Sequence, residues 1–189
     1  GGLVTLQERS WWVVLVERGR VDVVNDGEEL TVTGPALLWL PWQKTMRITA
    51  RSGTVGGYLV LSETSLANAI GVKPEAADLR VFSGRSFQLP LDDRSSSLYL
   101  DIQNCFEMIQ REAAGTSQGA TTIVEAQVRV LLVLLWRHAA QLGLFQSPVL
   151  DVEGFLFGEP HILADRGSAA HHVDRVDVEF ARDPGGRLV

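Results

Sequence analysis

The chain has 189 residues, 46% hydrophobic and 21% charged, a balance that fits a globular domain with a sizeable core and excludes a disordered or fibrous chain. Its formal net charge of -6 argues against a surface that grips a nucleic-acid backbone, because such surfaces gather Lys and Arg. Cys105 is the single cysteine, so no intrachain disulfide is expected. The longest apolar run, Val130 to Trp136, falls far short of the roughly 20 residues that cross a bilayer. The first residues show no basic segment leading into an apolar run, and a cytoplasmic location is expected.

The first 62 residues read as strands punctuated by turns. Trp11 to Glu17 is dense in aromatic and β-branched residues and stops at Arg18-Gly19. Arg20 to Val24 alternates Val21 and Val23 against Arg20 and Asp22, the pattern of a half-buried strand. Asn25-Asp26-Gly27 marks a tight turn, because these residues tolerate positive φ. Leu30 and Val32 lie on a further strand that ends at Gly34-Pro35, and Ala36 to Leu40 is a continuous apolar run closed by Pro41. Thr45 to Ala50 alternates again. Thr54 to Leu61 follows, with Gly56-Gly57 weakening the strand or permitting a bulge. Short strands at such even spacing predict a closed or nearly closed antiparallel barrel rather than βαβ units.

After Ser62 the pattern changes. Glu63 to Ile70 predicts a short helix ended by Gly71, while Arg80 to Phe82 and Phe87 to Leu89 are read as returns to the sheet. From Asp92 the period is helical, with Leu98, Ile102, Cys105, Phe106 and Ile109 on one face. Thr122 and Glu125 stand at capping-box spacing before a second helix running to about Leu142. That helix is apolar nearly all round, so it needs partners on several sides, and a second subunit is expected on one of them. The stretch from Ser147 carries eight acids against four arginines, with strand-like alternation over Val173 to Phe180 and a further strand candidate over Leu150 to Phe157.

The series Leu15-Val16-Glu17-Arg18-Gly19-Arg20-Val21, the Asn25-Asp26-Gly27 turn, Thr33-Gly34-Pro35 through Pro41, and Tyr58-Leu59-Val60-Leu61 resembles the N-terminal cupin domain of AraC-family transcription regulators. The resemblance covers roughly residues 3 to 145. It implies an α+β fold: an antiparallel β-barrel of cupin or jelly-roll type over residues 3–90, followed by two long helices over 91–145 that form a dimerisation unit. Residues 146–189 show no pair of short amphipathic helices of helix-turn-helix type. The resulting expectation is a ligand-sensing, homodimeric module without a DNA-binding part, with no direct nucleic-acid contact and no membrane association. Metal-binding cupins carry paired histidines, whereas Leu37 to Met46 has none, so neither a metal nor another cofactor is expected.

A barrel interior is the expected site of a small organic effector. Four of the five tryptophans, Trp11, Trp12, Trp39 and Trp42, fall within 32 positions, and aromatic walls suit stacking on a sugar face or planar ring. Alternation lets only one of Trp11 and Trp12 face inward. Trp39 is taken as a pocket wall. The resemblance places a ligand-contacting arginine at Arg18 and an aromatic pocket position at Tyr58; Arg47 is a second candidate polar group of the pocket. Leu131 and Leu135 are the expected dimer contacts. His171-His172 with Asp174 reads as a loop cluster, and Cys105 as a packed thiol. The competing reading is a stand-alone metal-free cupin enzyme of the sugar isomerase or epimerase class, which needs a convergent acid and base.

Overall fold

The computed structural model describes residues 9–144. The strands expected at 150–157 and 173–180, and His161, His171 and His172, lie outside the described residues.

The chain lays down β1 (Ser10–Arg18), β2 (Arg20–Asn25), β3 (Glu28–Thr33), β4 (Ala36–Pro41), β5 (Arg47–Ala50) and β6 (Val55–Ser62). It continues through α1 (Glu63–Ile70), α2 (Ala76–Ser83), β7 (Phe87–Pro90), α3 (Ser97–Ala114) and α4 (Ala120–Gln141). Asp26 and Gly27 take φ of 49° and 84°, the left-handed pair that lets a two-residue turn match strand twist, and close the β2–β3 hairpin. Gly19, between β1 and β2, has φ of 86°, and a Cβ there would approach the Thr54 Cα to 2.6 Å. Both dihedral and space therefore demand glycine.

All strand pairs are antiparallel and fall into two sheets, ordered β6-β1-β4-β7 and β3-β2-β5. This corrects the expected closed barrel. The ladders are interrupted where the chain crosses from one sheet to the other, at Gly19, at Gly34-Pro35, at residues 42–46 and at residues 51–54. Corner bonds replace strand pairing there: Gly34 N–H donates to Gly19 O at 3.0 Å, and Arg51 N–H to Arg20 O at 2.9 Å. The Thr54 hydroxyl, fully buried, accepts from Arg20 N at 3.1 Å and donates to Arg20 O at 2.7 Å.

Three layers result. Between the sheets lie Val14, Val16, Val21, Val23, Val32, Ala36, Leu38, Leu40, Met46 and Ile48, all buried. On the other face of the four-stranded sheet, Val13, Leu15, Leu37, Trp39 and Leu89 pack with the helices in one continuous core. β1 and β4 are thus covered on both faces, which is why they read as unbroken apolar runs, while β2 and β5 are covered on one and alternate.

The helices follow their caps. Ser62 Oγ accepts from Ser65 N at 3.1 Å to start α1, Gly71 ends it, and Ser96 Oγ accepts from Tyr99 N at 3.2 Å to start α3. Two expectations are corrected. Arg80 to Phe82 belongs to α2, because Ala76, Leu79, Phe82 and Ser83 present one buried helical face that the apolar triplet alone could not announce. α4 begins at Ala120 with Gly119 as its N-cap, and Glu125 accepts from Asn68 Nδ2 at 3.1 Å instead of closing a capping box. α4 packs on α3, α1, α2 and β7. Among the described residues no helix is long and apolar enough to cross a membrane.

Candidate functional site

Parity along β1 separates the tryptophans. Trp12 shares the face of Val14 and Val16, toward the three-stranded sheet, whereas Trp11 shares the face of Val13 and Leu15, toward the helices. Trp12 is half-buried and stacks on Tyr58, with ring centroids 5.4 Å apart and planes 11° apart. Trp42, just past β4, leans on Trp12 at 5.2 Å and 37°. The Trp42 backbone N–H donates to Ser10 O at 2.9 Å, which extends the β1–β4 pairing by one bond. Val60, Trp12's partner on β6, is 50% exposed. The inner face of the sheet therefore ends in an aromatic mouth that the three-stranded sheet leaves partly uncovered.

A polar rim adjoins this mouth. Asn25, at the end of β2, donates from Nδ2 to Gln43 Oε1 at 3.1 Å and accepts from the Thr45 hydroxyl at 2.8 Å. These bonds tie the β2–β3 hairpin to the loop that carries Trp42. A flat, half-buried aromatic stack bordered by amide and hydroxyl groups suits a small organic molecule with one apolar face and hydrogen-bonding edges.

The residues singled out from the sequence are not brought together as one site. Tyr58 is in the mouth. Trp39 is fully buried on the helical side, stacked with Phe87 at 5.9 Å, and donates from Nε1 to Ser83 O at 2.8 Å. Trp11 donates to that same carbonyl at 2.9 Å, so the two indoles clamp the end of α2 onto the sheet. Trp39 is thus a core residue and no part of the mouth. Arg18 is exposed beyond a β-bulge at the far end of β1, four residues from Val14, the partner of Tyr58; that is about 13 Å along a strand. Arg47 is exposed and alternates with buried Ile48, so it stands on the outer face of the three-stranded sheet. The space between the sheets, expected to be hollow, is filled by the ten buried side chains named above.

Trp12 and Trp42 replace Trp39 in the site. Alternation placed one of Trp11 and Trp12 inward, but parity changes between Val16 and Val21 across the Gly19 corner, so the pattern did not say which. The signal for Trp42 was masked, because β4 is buried at every position and offers no alternation.

Leu131 and Leu135 are fully covered by the chain's own residues in the core shared by sheet and helices. They do not face outward. α4 is apolar all round chiefly because α3, α1, α2 and β7 surround most of it. What it shows to solvent is a narrow stripe, with Ile123 and Val130 38% and 46% exposed and Leu134 half-buried. Between Ala120 and Trp136 the only charged residues are Glu125 and Arg129, and both turn to α1: Glu125 to Asn68 and Arg129 to the Ala69 carbonyl. The stripe therefore carries no charge until Arg137.

A second, shallow concavity of about 250 Å³ lies where α3 crosses the glycine pair of β6 and is open to solvent. Leu15, Glu17, Gly56, Gly57, Phe106 and Gln110 are among its walls. Cys105 is buried nearby, and burial, with the Asp101 charge as a smaller contribution, pushes its thiol up to about 11. His138, 7% exposed, sits 2.8 Å through Nε2 from Pro90 O; a carbonyl only accepts, so Nε2–H donates and fastens α4 to the end of β7. Among the described residues no group of three His, Cys, Asp or Glu side chains is placed to hold a metal ion.

Comparison with protein-family models gives no match, and neither does comparison with curated proteins.

Proposed function

We propose that this chain is a ligand-sensing and dimerisation module of the kind found in AraC-like regulators, with a cupin-like pair of sheets and two long helices. The reading rests on the sequence resemblance together with one structural observation: the half-buried Trp12–Tyr58 stack, flanked by Trp42, on a sheet whose other face carries the helices. The ligand is a small organic molecule with a flat apolar face, such as a sugar or an aromatic acid, lying against the mouth instead of inside the packed interior. The site residues are then Trp12, Trp42 and Tyr58, in place of Arg18, Trp39 and Arg47. The second subunit docks on the uncharged stripe of α4 through Ile123, Val130 and Leu134. A stripe of this kind lets two chains of net charge -6 meet without opposing like charges. The module works in the cytoplasm, and occupancy alters what the helices present to a partner.

Intrinsic tryptophan fluorescence tests the ligand half directly. Titration with a panel of monosaccharides and aromatic carboxylic acids is expected to give a saturable change for at least one class, and that change is expected to vanish in Trp12→Ala. Failure of the whole panel to give a saturable change removes the sensor reading.

A further inference from the structure

β6 meets the aromatic mouth on one face and α3 on the other. The Tyr58 ring stacks on Trp12 on the sandwich side. The Tyr58 carbonyl accepts from Gln110 Nε2 of α3 at 3.3 Å. The preceding residue has no side chain: a Cβ on Gly57 would stand 3.4 Å from Gln110 Nε2 and 3.8 Å from Phe106 Cδ1. α3 therefore rests on the bare backbone of β6, with no intervening side chain to absorb a displacement. Gly56 is tighter still, since its Cβ would come within 2.0 Å of Leu15 O, so β6 is pressed onto β1 at the same point. Among the described residues β6 is also an edge strand, bonded to β1 on one side within its sheet. An edge strand has fewer lateral bonds to resist a shift than a central one.

We infer that β6 is the coupling element between the aromatic mouth and the helical layer: a change in how Tyr58 stacks on Trp12 reaches α3 through the Gly57 backbone and the Gln110–Tyr58 bond. The inference rests on the proposed sensor function and adds its route. Gln110 is a positioning residue in this scheme. From α3 the effect passes to α4, because Ile102, Phe106 and Ile109 share a core with Leu131, Leu132 and Leu135. Coupling of this kind is a free energy shared by two sites, and a contact chain is a route only if perturbing one end is felt at the other.

The test uses the unliganded full chain, so its failure is separate from failure of the ligand reading. Trp12→Phe keeps a ring but changes the stack, and it touches no residue of α3. Amide hydrogen exchange across α3 is measured for the parent, Trp12→Phe, Gln110→Ala and the double variant. Trp12→Phe is expected to change exchange near residue 110 by about threefold or more, and by less than about 1.5-fold in the Gln110→Ala background. A global loss of stability shifts α1 and α3 together and is subtracted by taking α1 as the reference. Should Gln110→Ala fail to fold, Gln110→Glu removes the amide donor at nearly constant volume and takes its place. Unchanged α3 exchange in Trp12→Phe overturns the inference, as does an equal change with and without the Gln110 side chain.

Discussion

Trp11 and Trp12 are adjacent, and one step of strand alternation gives them different fates: Trp11 seals the end of α2 through the Ser83 carbonyl, and Trp12 opens to the mouth. The same alternation makes charged groups on the outer sheet face predictable. Asp22 accepts from Arg51 Nε at 2.7 Å, from Arg51 Nη2 at 2.9 Å and from the Thr31 hydroxyl at 2.6 Å. The Arg51 bonds, then the Thr31 bond, hold its carboxyl below the usual carboxylate range. A depressed folded-state value means that Asp22 contributes stability above its unfolded value, near about 4, and loses it as pH falls through the folded value. Asp22→Asn is therefore expected to lower the melting temperature at pH 7, and the difference from the parent is expected to narrow as pH falls below the unfolded value; a gap that does not change with pH contradicts this assignment. Cys105 makes a second residue-scale case. With its thiol pushed up to about 11 by burial, almost no thiolate exists at pH 8. Disulfide-exchange reagents are expected to label it only after denaturation, and rapid labelling of the folded chain would contradict its burial.

Among the elements, α4 shows where patterning carries information and where it runs out. Its end near Leu142 and its apolar character were legible in the sequence, its start was not, and an all-round apolar helix does not say which side meets its own sheet. Leu131 and Leu135 face the core, and Val130, next in the chain, faces solvent. Leu131→Glu is accordingly expected to unfold the chain, since it buries an unpaired charge and forfeits packing worth about 2–5 kcal/mol. Val130→Glu is expected to leave thermal stability nearly unchanged and to convert a dimer into a monomer by light scattering; an unaltered mass removes the stripe from the interface. β4 makes the converse point. Burial at all six positions marked it as a doubly covered strand, yet erased the parity that would have placed Trp39 with the helices. The triplet Arg80 to Phe82 was too short to distinguish strand from helix, and the buried spacing of Ala76, Leu79 and Phe82 decides for helix.

At the scale of the whole molecule, the helices lie on one face of the four-stranded sheet and the three-stranded sheet on the other. The turns, the strand order of the hairpins and the switch to helical period after Ser62 were all readable locally. The failure to close into a barrel was not, because closure depends on corner geometry at Gly19, Gly34-Pro35, residues 42–46 and residues 51–54 instead of on any strand's pattern. With the interior filled, the uncovered end of the sheet is where apolar surface meets solvent, and Arg18 and Arg47 fall outside it. Ligand-induced thermal stabilisation in three variants tests whether this mouth binds the ligand. A ligand at about 100 times its Kd adds about 2.7 kcal/mol to stability and raises the melting temperature by several degrees. That rise is expected to persist in Trp39→Phe and Arg18→Ala, whatever their own stability, and to disappear in Trp12→Ala. Full retention of the rise in Trp12→Ala, or its loss in Trp39→Phe, would contradict the account.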